Sequence, residues 1–184
     1  MNPFKGRSKW FFLVGMTLPL LFLDWLTKFL AVRYLQYGRP VPVIGDFFEL
    51  CLVYNKGALF GLDPSDWISG FPVNKFFFIF SIIAILVLVI YYRYLKEHEY
   101  LTITGVALLF PGALGNILDR LINPGRGVVD FLKIGVSRDI YWPIFNFADI
   151  YITLGIIIVI IDIQFFSGKT GVPESRVEQD GLEE

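Results

Sequence analysis

The pattern of apolar and polar positions divides the chain into four long apolar runs joined by shorter polar stretches. The first run is Trp10 to Val32, behind a short basic start, MNPFKGRSK. A basic start before an apolar run resembles a signal peptide, but no small-x-small cleavage pattern follows. The apolar pattern continues through DWLTKFLAV instead, so the segment reads as an uncleaved spanning helix. Three further spans are predicted at Phe76–Tyr92, Leu101–Leu118 and about Phe145–Phe166. Pro111 should kink the third, while Gly112 and Gly115 let another helix or a ligand approach its backbone.

The connections are uneven. Tyr34 to Lys75 is long and rich in aromatics, punctuated by Pro40, Pro42 and Gly45. Within it FFELCLVY, Phe47 to Tyr54, has the β-branched and aromatic content of a strand, and Asn55-Lys56-Gly57 is a turn signal. The segment ALFGLDPSDWISGFP suits the headgroup level, with Trp67 and Phe71 as anchors. After the third span, NPGRG reads as a turn and VVDFLKI as a second strand. The expected fold is therefore mainly α and integral to the membrane: four transmembrane helices with two short strands and an interfacial segment in the connections. One domain covers residues 1–166, and the polar tail 167–184 is expected to be disordered.

Four spans place both termini on one side. Lys and Arg are nearly balanced between the two sides, but those at Lys5, Arg7, Lys9, Arg93 and Lys96 occupy the shorter loops. The positive-inside rule counts short loops, so both termini are placed in the cytoplasm. Composition agrees with the membrane reading: 55% hydrophobic and 17% aromatic over 184 residues, with a mean hydropathy of +0.60. A net charge of −1 without a basic stripe gives nucleic acid no footprint. One cysteine, Cys51, and one histidine, His98, exclude an internal disulfide and a Cys/His zinc site. They also remove Ser-His-Asp and Cys-His chemistry unless His98 adjoins a nucleophile; the charged loop around it reads as solvated instead.

Candidate chemistry therefore rests on Asp, Glu, Lys, Ser or Tyr. The topology brings Asp24, Lys28, Asn55, Asn116, Asp119, Arg120, Asp130, Asn146 and Asp149 to one membrane face. Ionisable groups at the edge of membrane-grade sequence are costly, which makes the cluster a candidate site. Asp24 and Lys28, spaced i,i+4, form either a plain local ion pair or a brace for that site. Asn55 alone is an ordinary turn residue, and Asp119 beside Arg120 reads as a salt bridge or cap. Asp162 lies near the opposite end, where it snorkels or faces the cytosol. Two aspartates held close cannot both ionise cheaply, so such a pair shares a proton and supplies both a base and an acid. Two other classes fit some of these residues. A Ser-Lys protease would need Ser81 within reach of Lys28. A proton or ion pathway would need charges running through the bilayer, whereas these gather at one face.

Five blocks carry a resemblance: DWLTKFLAV, YNKGALFG, GALGNILDRL, GVVDF and FNFAD, in that order. Together they resemble the lipoprotein signal peptidase family, also called signal peptidase II. The resemblance implies an intramembrane aspartic endopeptidase that removes the signal peptide from diacylglyceryl-modified bacterial prolipoproteins, just before the lipidated cysteine. It assigns the catalytic pair to Asp130 and Asp149, and supporting roles to Asp24, Lys28, Asn55, Gly57, Asn116, Arg120 and Asn146. It also implies that the two strands join a small extracytoplasmic antiparallel β-sheet, and that the protein is a monomer in the bacterial cytoplasmic membrane with its active site toward the extracytoplasmic face. Its partners are the prolipoprotein and membrane lipid, with no nucleic acid, metal or cofactor. Pro111 is a departure, standing where the family usually has glycine before GALGN.

Overall fold

The computed structural model describes residues 8–57, 72–136 and 140–165. The headgroup-level segment around Trp67 and the polar tail lie outside the described residues. Four helices among them are long and apolar enough to cross a membrane: α1 (Ser8–Tyr34), α2 (Val73–Tyr94), α3 (Tyr100–Ile122) and α4 (Phe147–Phe165). Each predicted span falls on one of these helices. Three strands, β1 (Val41–Ile44), β2 (Phe48–Asn55) and β3 (Val128–Ile134), form one antiparallel sheet in the order β1-β2-β3. It sits at the end of the bundle where α1 and α3 finish and α2 and α4 begin.

α3 is the hub. Its apolar window is 61% buried, against 17%, 6% and 22% for α1, α2 and α4. Small residues let α4 press onto it, because lipid supplies no hydrophobic drive between helices and close packing must do the work. A Cβ added to Gly105 would lie 2.9 Å from the Gly155 carbonyl oxygen, and one on Gly112 would lie 2.5 Å from that of Ala148. Pro111 is buried inside α3, which continues unbroken to Ile122.

At the far end from the sheet, two polar residues depart from the sequence reading. Lys9 is buried, and its ammonium donates to the carbonyl oxygens of Tyr92 (3.2 Å), Arg93 (2.9 Å) and Leu95 (2.8 Å). It caps the α2 C-terminus, where a cation meets otherwise unpaired carbonyls. The Tyr92 hydroxyl donates back to the Lys9 carbonyl at 2.6 Å. Asp162 does not snorkel: it is buried between α4 and α3 and accepts a hydrogen bond from the Thr102 hydroxyl. His98 is exposed in the turn between α2 and α3, as expected.

The sheet follows the predicted strands within a residue and adds an unpredicted one. β1 contains Pro42, which argues against a central strand but is tolerated at an edge, and β1 pairs only with β2. β2 pairs with β3 so that Val53 faces Asp130 and Glu49 faces Lys133, with a bulge between Leu50 and Val53. The Glu49–Lys133 pair closes at 2.7 Å, and Tyr141 covers the ammonium at 4.4 Å from its ring centre. Ala31, Phe131 and Leu132, with Phe48, Phe145 and Phe147, form the apolar seam that ties the sheet to the bundle.

Candidate active site

Asp149 is positioned by the start of its own helix. Asn146 stands just before α4, and its side-chain oxygen accepts the Asp149 N–H at 3.0 Å. The Asp149 carboxylate reaches back to the Asn146 N–H at 3.1 Å. This is a capping box: two donors that a helix N-terminus leaves unpaired are satisfied reciprocally. The box fixes the Asp149 side chain against the positive end of the helix dipole. Its other oxygen accepts from the Asn116 amide at 3.0 Å.

Asp130 lies on β3, fully buried at 1% exposure. The Asn146 amide donates to it at 2.6 Å, so one asparagine both caps the helix of Asp149 and holds the carboxylate of Asp130. Asn55 hydrogen-bonds the same carboxylate, while the Gly57 N–H donates to the Asn55 side-chain oxygen at 3.0 Å. The Asn55-Lys56-Gly57 turn thus orients the amide that reaches Asp130. Burial first, and the negative charge of Asp149 second, push the Asp130 carboxyl up to about 8.

Behind the pair sits a buried ionic cluster. The Lys28 ammonium meets Asp24 at 2.8 Å, Asp119 at 2.9 Å and the Asn116 side-chain oxygen at 3.1 Å. Three protons find three acceptors. Asp24 also accepts the Ala148 N–H of α4 at 2.9 Å, and a Cβ on Gly115 would collide with its carboxylate. Asp119 accepts the Val129 N–H at 3.1 Å, one residue before Asp130. Lys28 therefore links, through Asp24, the helix that carries Asp149 and, through Asp119, the strand that carries Asp130. The Asp24–Lys28 pair is a brace and not an isolated surface bridge.

The structure brings Asp24, Lys28, Asn55, Gly57, Asn116, Arg120, Asn146 and the two aspartates to one end of the bundle. Arg120 lies among Asp130, Asp149 and Asp119, donates to the Asn116 carbonyl at 3.2 Å, and lies 5.9 Å from the Phe77 ring centre. One detail is corrected: Asp119 pairs with Lys28 and not with its neighbour Arg120. Its importance is invisible in the sequence, because no spacing joins Asp119 to Lys28 on α1 or to Val129 on β3. The capping box is legible as N-x-x-D at the head of an apolar run. Ser81 donates to the Phe77 carbonyl at 2.7 Å, and Lys28 is committed to acids, so the Ser-Lys arrangement finds no support.

The fold and site define a multi-pass membrane protein with a buried and a partly buried aspartate tied together by Asn146 at one end of its helices. The family model described as signal peptidase (SPase) II matches residues 16–165. A lipoprotein signal peptidase of Borreliella burgdorferi (strain ZS7) is 36% identical over 165 residues, 85% of this chain and 92% of that protein. One from Geobacillus kaustophilus (strain HTA426) is 35% identical over 146 residues, 79% of this chain and 88% of that protein. A solved bacterial membrane enzyme superposes with a TM-score of 0.73 at 30% identity, covering 88% of this chain and 93% of its own. The chain belongs to the signal peptidase II family and is a peptidase.

Proposed function

We propose that this chain is an aspartic endopeptidase that removes the signal peptide from diacylglyceryl-modified bacterial prolipoproteins, cutting just before the lipidated cysteine. The observation that carries the reading is Asn146, which bonds Asp130 while boxing Asp149 onto the start of α4. Two carboxylates held this way titrate as a unit and keep one proton between them near neutral pH. The proton rests on Asp130, the more deeply buried member, and Asp149 is the base. Asp149 takes a proton from an attacking water while Asp130 donates its own to the scissile carbonyl oxygen. Collapse of the tetrahedral intermediate then delivers a proton to the leaving amine. Arg120, with its Nε buried and unpartnered among the described residues, supplies positive charge beside the developing oxyanion.

The substrate fits this placement. A lipidated cysteine holds its scissile bond at the membrane surface, and the aspartates sit where the apolar helices meet the sheet. The protein lies in the cytoplasmic membrane with both termini inside and the sheet outside, in keeping with the basic residues in its shorter loops.

The deciding experiment compares wild type, Asp130→Asn and Asp149→Asn on a lipidated prolipoprotein in detergent, with equal folding checked by thermal melt. Each variant should lose cleavage by roughly a hundredfold to ten-thousandfold. Near wild-type turnover by either one would overturn the aspartate reading.

A further inference from the structure

The same end of the bundle carries a second feature, on the face of the sheet opposite Asp130. An open cleft of about 580 Å³ lies between the last turn of α1 and the sheet, lined by Val32, Tyr37, Leu52, Tyr54, Lys56 and Arg126. Two of these residues are cationic and none is acidic. Like charges facing one space repel, so an arrangement that fixes them there favours an anion between them.

The two turns that carry them are fixed against each other. Gly127 has a φ of 93°, and a Cβ there would collide with the Asn55 carbonyl oxygen and lie 2.9 Å from the Lys56 Cα. The turn that carries Arg126 is thus packed backbone to backbone against the turn that carries Lys56. Tyr54 holds the Arg126 guanidinium 5.4 Å from its ring centre and stacks on Tyr37 at 6.1 Å. Tyr54 pairs with Val129 while Asp130 pairs with Val53, so by strand alternation Tyr54 and the aspartate occupy opposite faces of the sheet.

Away from the cleft toward the membrane, α1 shows Phe22, Trp25, Phe29 and Val32, all exposed, at spacings that share one helical face. Trp25 stacks on Phe29 at 5.7 Å and packs against Phe22 at 5.9 Å. An apolar ridge therefore leads into a cationic, tyrosine-walled cleft at the end of a spanning helix.

The geometry points to a binding site for an anionic phospholipid, its phosphate taken by Lys56 and Arg126 and its acyl chains laid along the Phe22–Val32 ridge. The diacylglyceryl group of the proposed substrate has acyl chains but no phosphate, so the paired cations select a phospholipid over it. The site is independent of the aspartate chemistry, and its test reads lipid binding alone.

The full-length protein is placed in phosphatidylcholine nanodiscs containing a small fraction of phosphatidylglycerol, and the lipid retained after extraction is counted by native mass spectrometry. Wild type should retain phosphatidylglycerol about tenfold above its bulk fraction. Lys56→Gln with Arg126→Gln should bring retention to the bulk fraction. Arg33→Gln with Arg39→Gln, which removes equal charge at the same end outside the cleft, should keep the enrichment. Unchanged retention in the first variant overturns the site, and equal loss in the second reduces it to general surface charge. Glycerophosphoglycerol, the same headgroup without acyl chains, should displace little lipid at millimolar concentration. Displacement by it, or by a soluble acidic peptide, as effectively as by phosphatidylglycerol would overturn the phospholipid assignment.

Discussion

The two ends of the helical bundle both bury polar groups, but only one crowds several acids together, four around two cations. At the Lys9 end, one ammonium meets three carbonyl oxygens, a tyrosine hydroxyl returns the contact, and Asp162 receives the Thr102 hydroxyl. At the sheet end, Asp24, Asp119, Asp130 and Asp149 surround Lys28 and Arg120. Lys28 is used up by Asp24, Asp119 and Asn116, which leaves the Asp130–Asp149 pair a single cation, Arg120, and otherwise asparagine amides and one backbone N–H. Those donors fix geometry without neutralising charge. A buried group whose needs are met locally stabilises the fold, whereas a carboxylate pair short of cations has to be neutralised by a proton. That need makes the sheet end reactive and leaves the Lys9 end structural.

The contrast is broken most forcefully at the two lysines. Lys28→Met leaves Asp24 and Asp119 buried without their cation, and should cost about 3–5 kcal/mol with loss of cleavage. Lys9→Met strips a cap from α2 but leaves neutral carbonyls behind, so about 1–3 kcal/mol is expected with turnover per folded molecule retained. Thermal melts in detergent alongside cleavage assays measure both. Equal costs and equal loss of activity would mean that the ends do not differ in kind.

A smaller effect concerns pH. The folded-state pKa of Asp130 lies above its unfolded value, so the folded protein binds that proton more tightly. Its contribution to stability is present below the ordinary carboxylate pKa and is lost as pH rises through about 8. An asparagine side chain in its place has no such proton to lose. The melting temperature of Asp130→Asn relative to wild type should therefore climb between pH 5 and pH 9. A difference that stays flat, or falls, would show that the buried carboxyl does not carry the proton.

What the sequence reveals follows from which signals are local. The four spans and the strands β2 and β3 are long or strongly patterned, so the strands are legible to within a residue and the spans to within about four. β1 is hidden by Pro42, because nothing in the sequence says that this strand lies at an edge. The convergence of the site residues on one face follows from counting spans, a global property of the pattern. Their partners do not. Asp119 and Arg120 are adjacent in sequence, yet successive helical residues point about 100° apart, so Asp119 turns to α1 instead. Lys9 and Asp162 sit near helix ends, and position along a helix says nothing about which face meets a neighbour.

The mildest substitution tests the comparison at its weakest point. Asp162 is a buried acid within an apolar helix, so it is the residue that could make the Lys9 end resemble the aspartate end. An asparagine at this position keeps an oxygen for the Thr102 hydroxyl, and Asp162→Asn should shift stability by under about 1 kcal/mol with cleavage unchanged. Asp162→Leu removes the acceptor and strands the hydroxyl, which should cost about 1–3 kcal/mol, and adding Thr102→Val should recover most of it. That recovery is the signature of a structural pair, because two groups that serve only each other can be replaced together. If Asp162→Asn instead folds normally and abolishes cleavage, the far end takes part in the chemistry through a proton route along α4. The separation of the two ends would then be wrong.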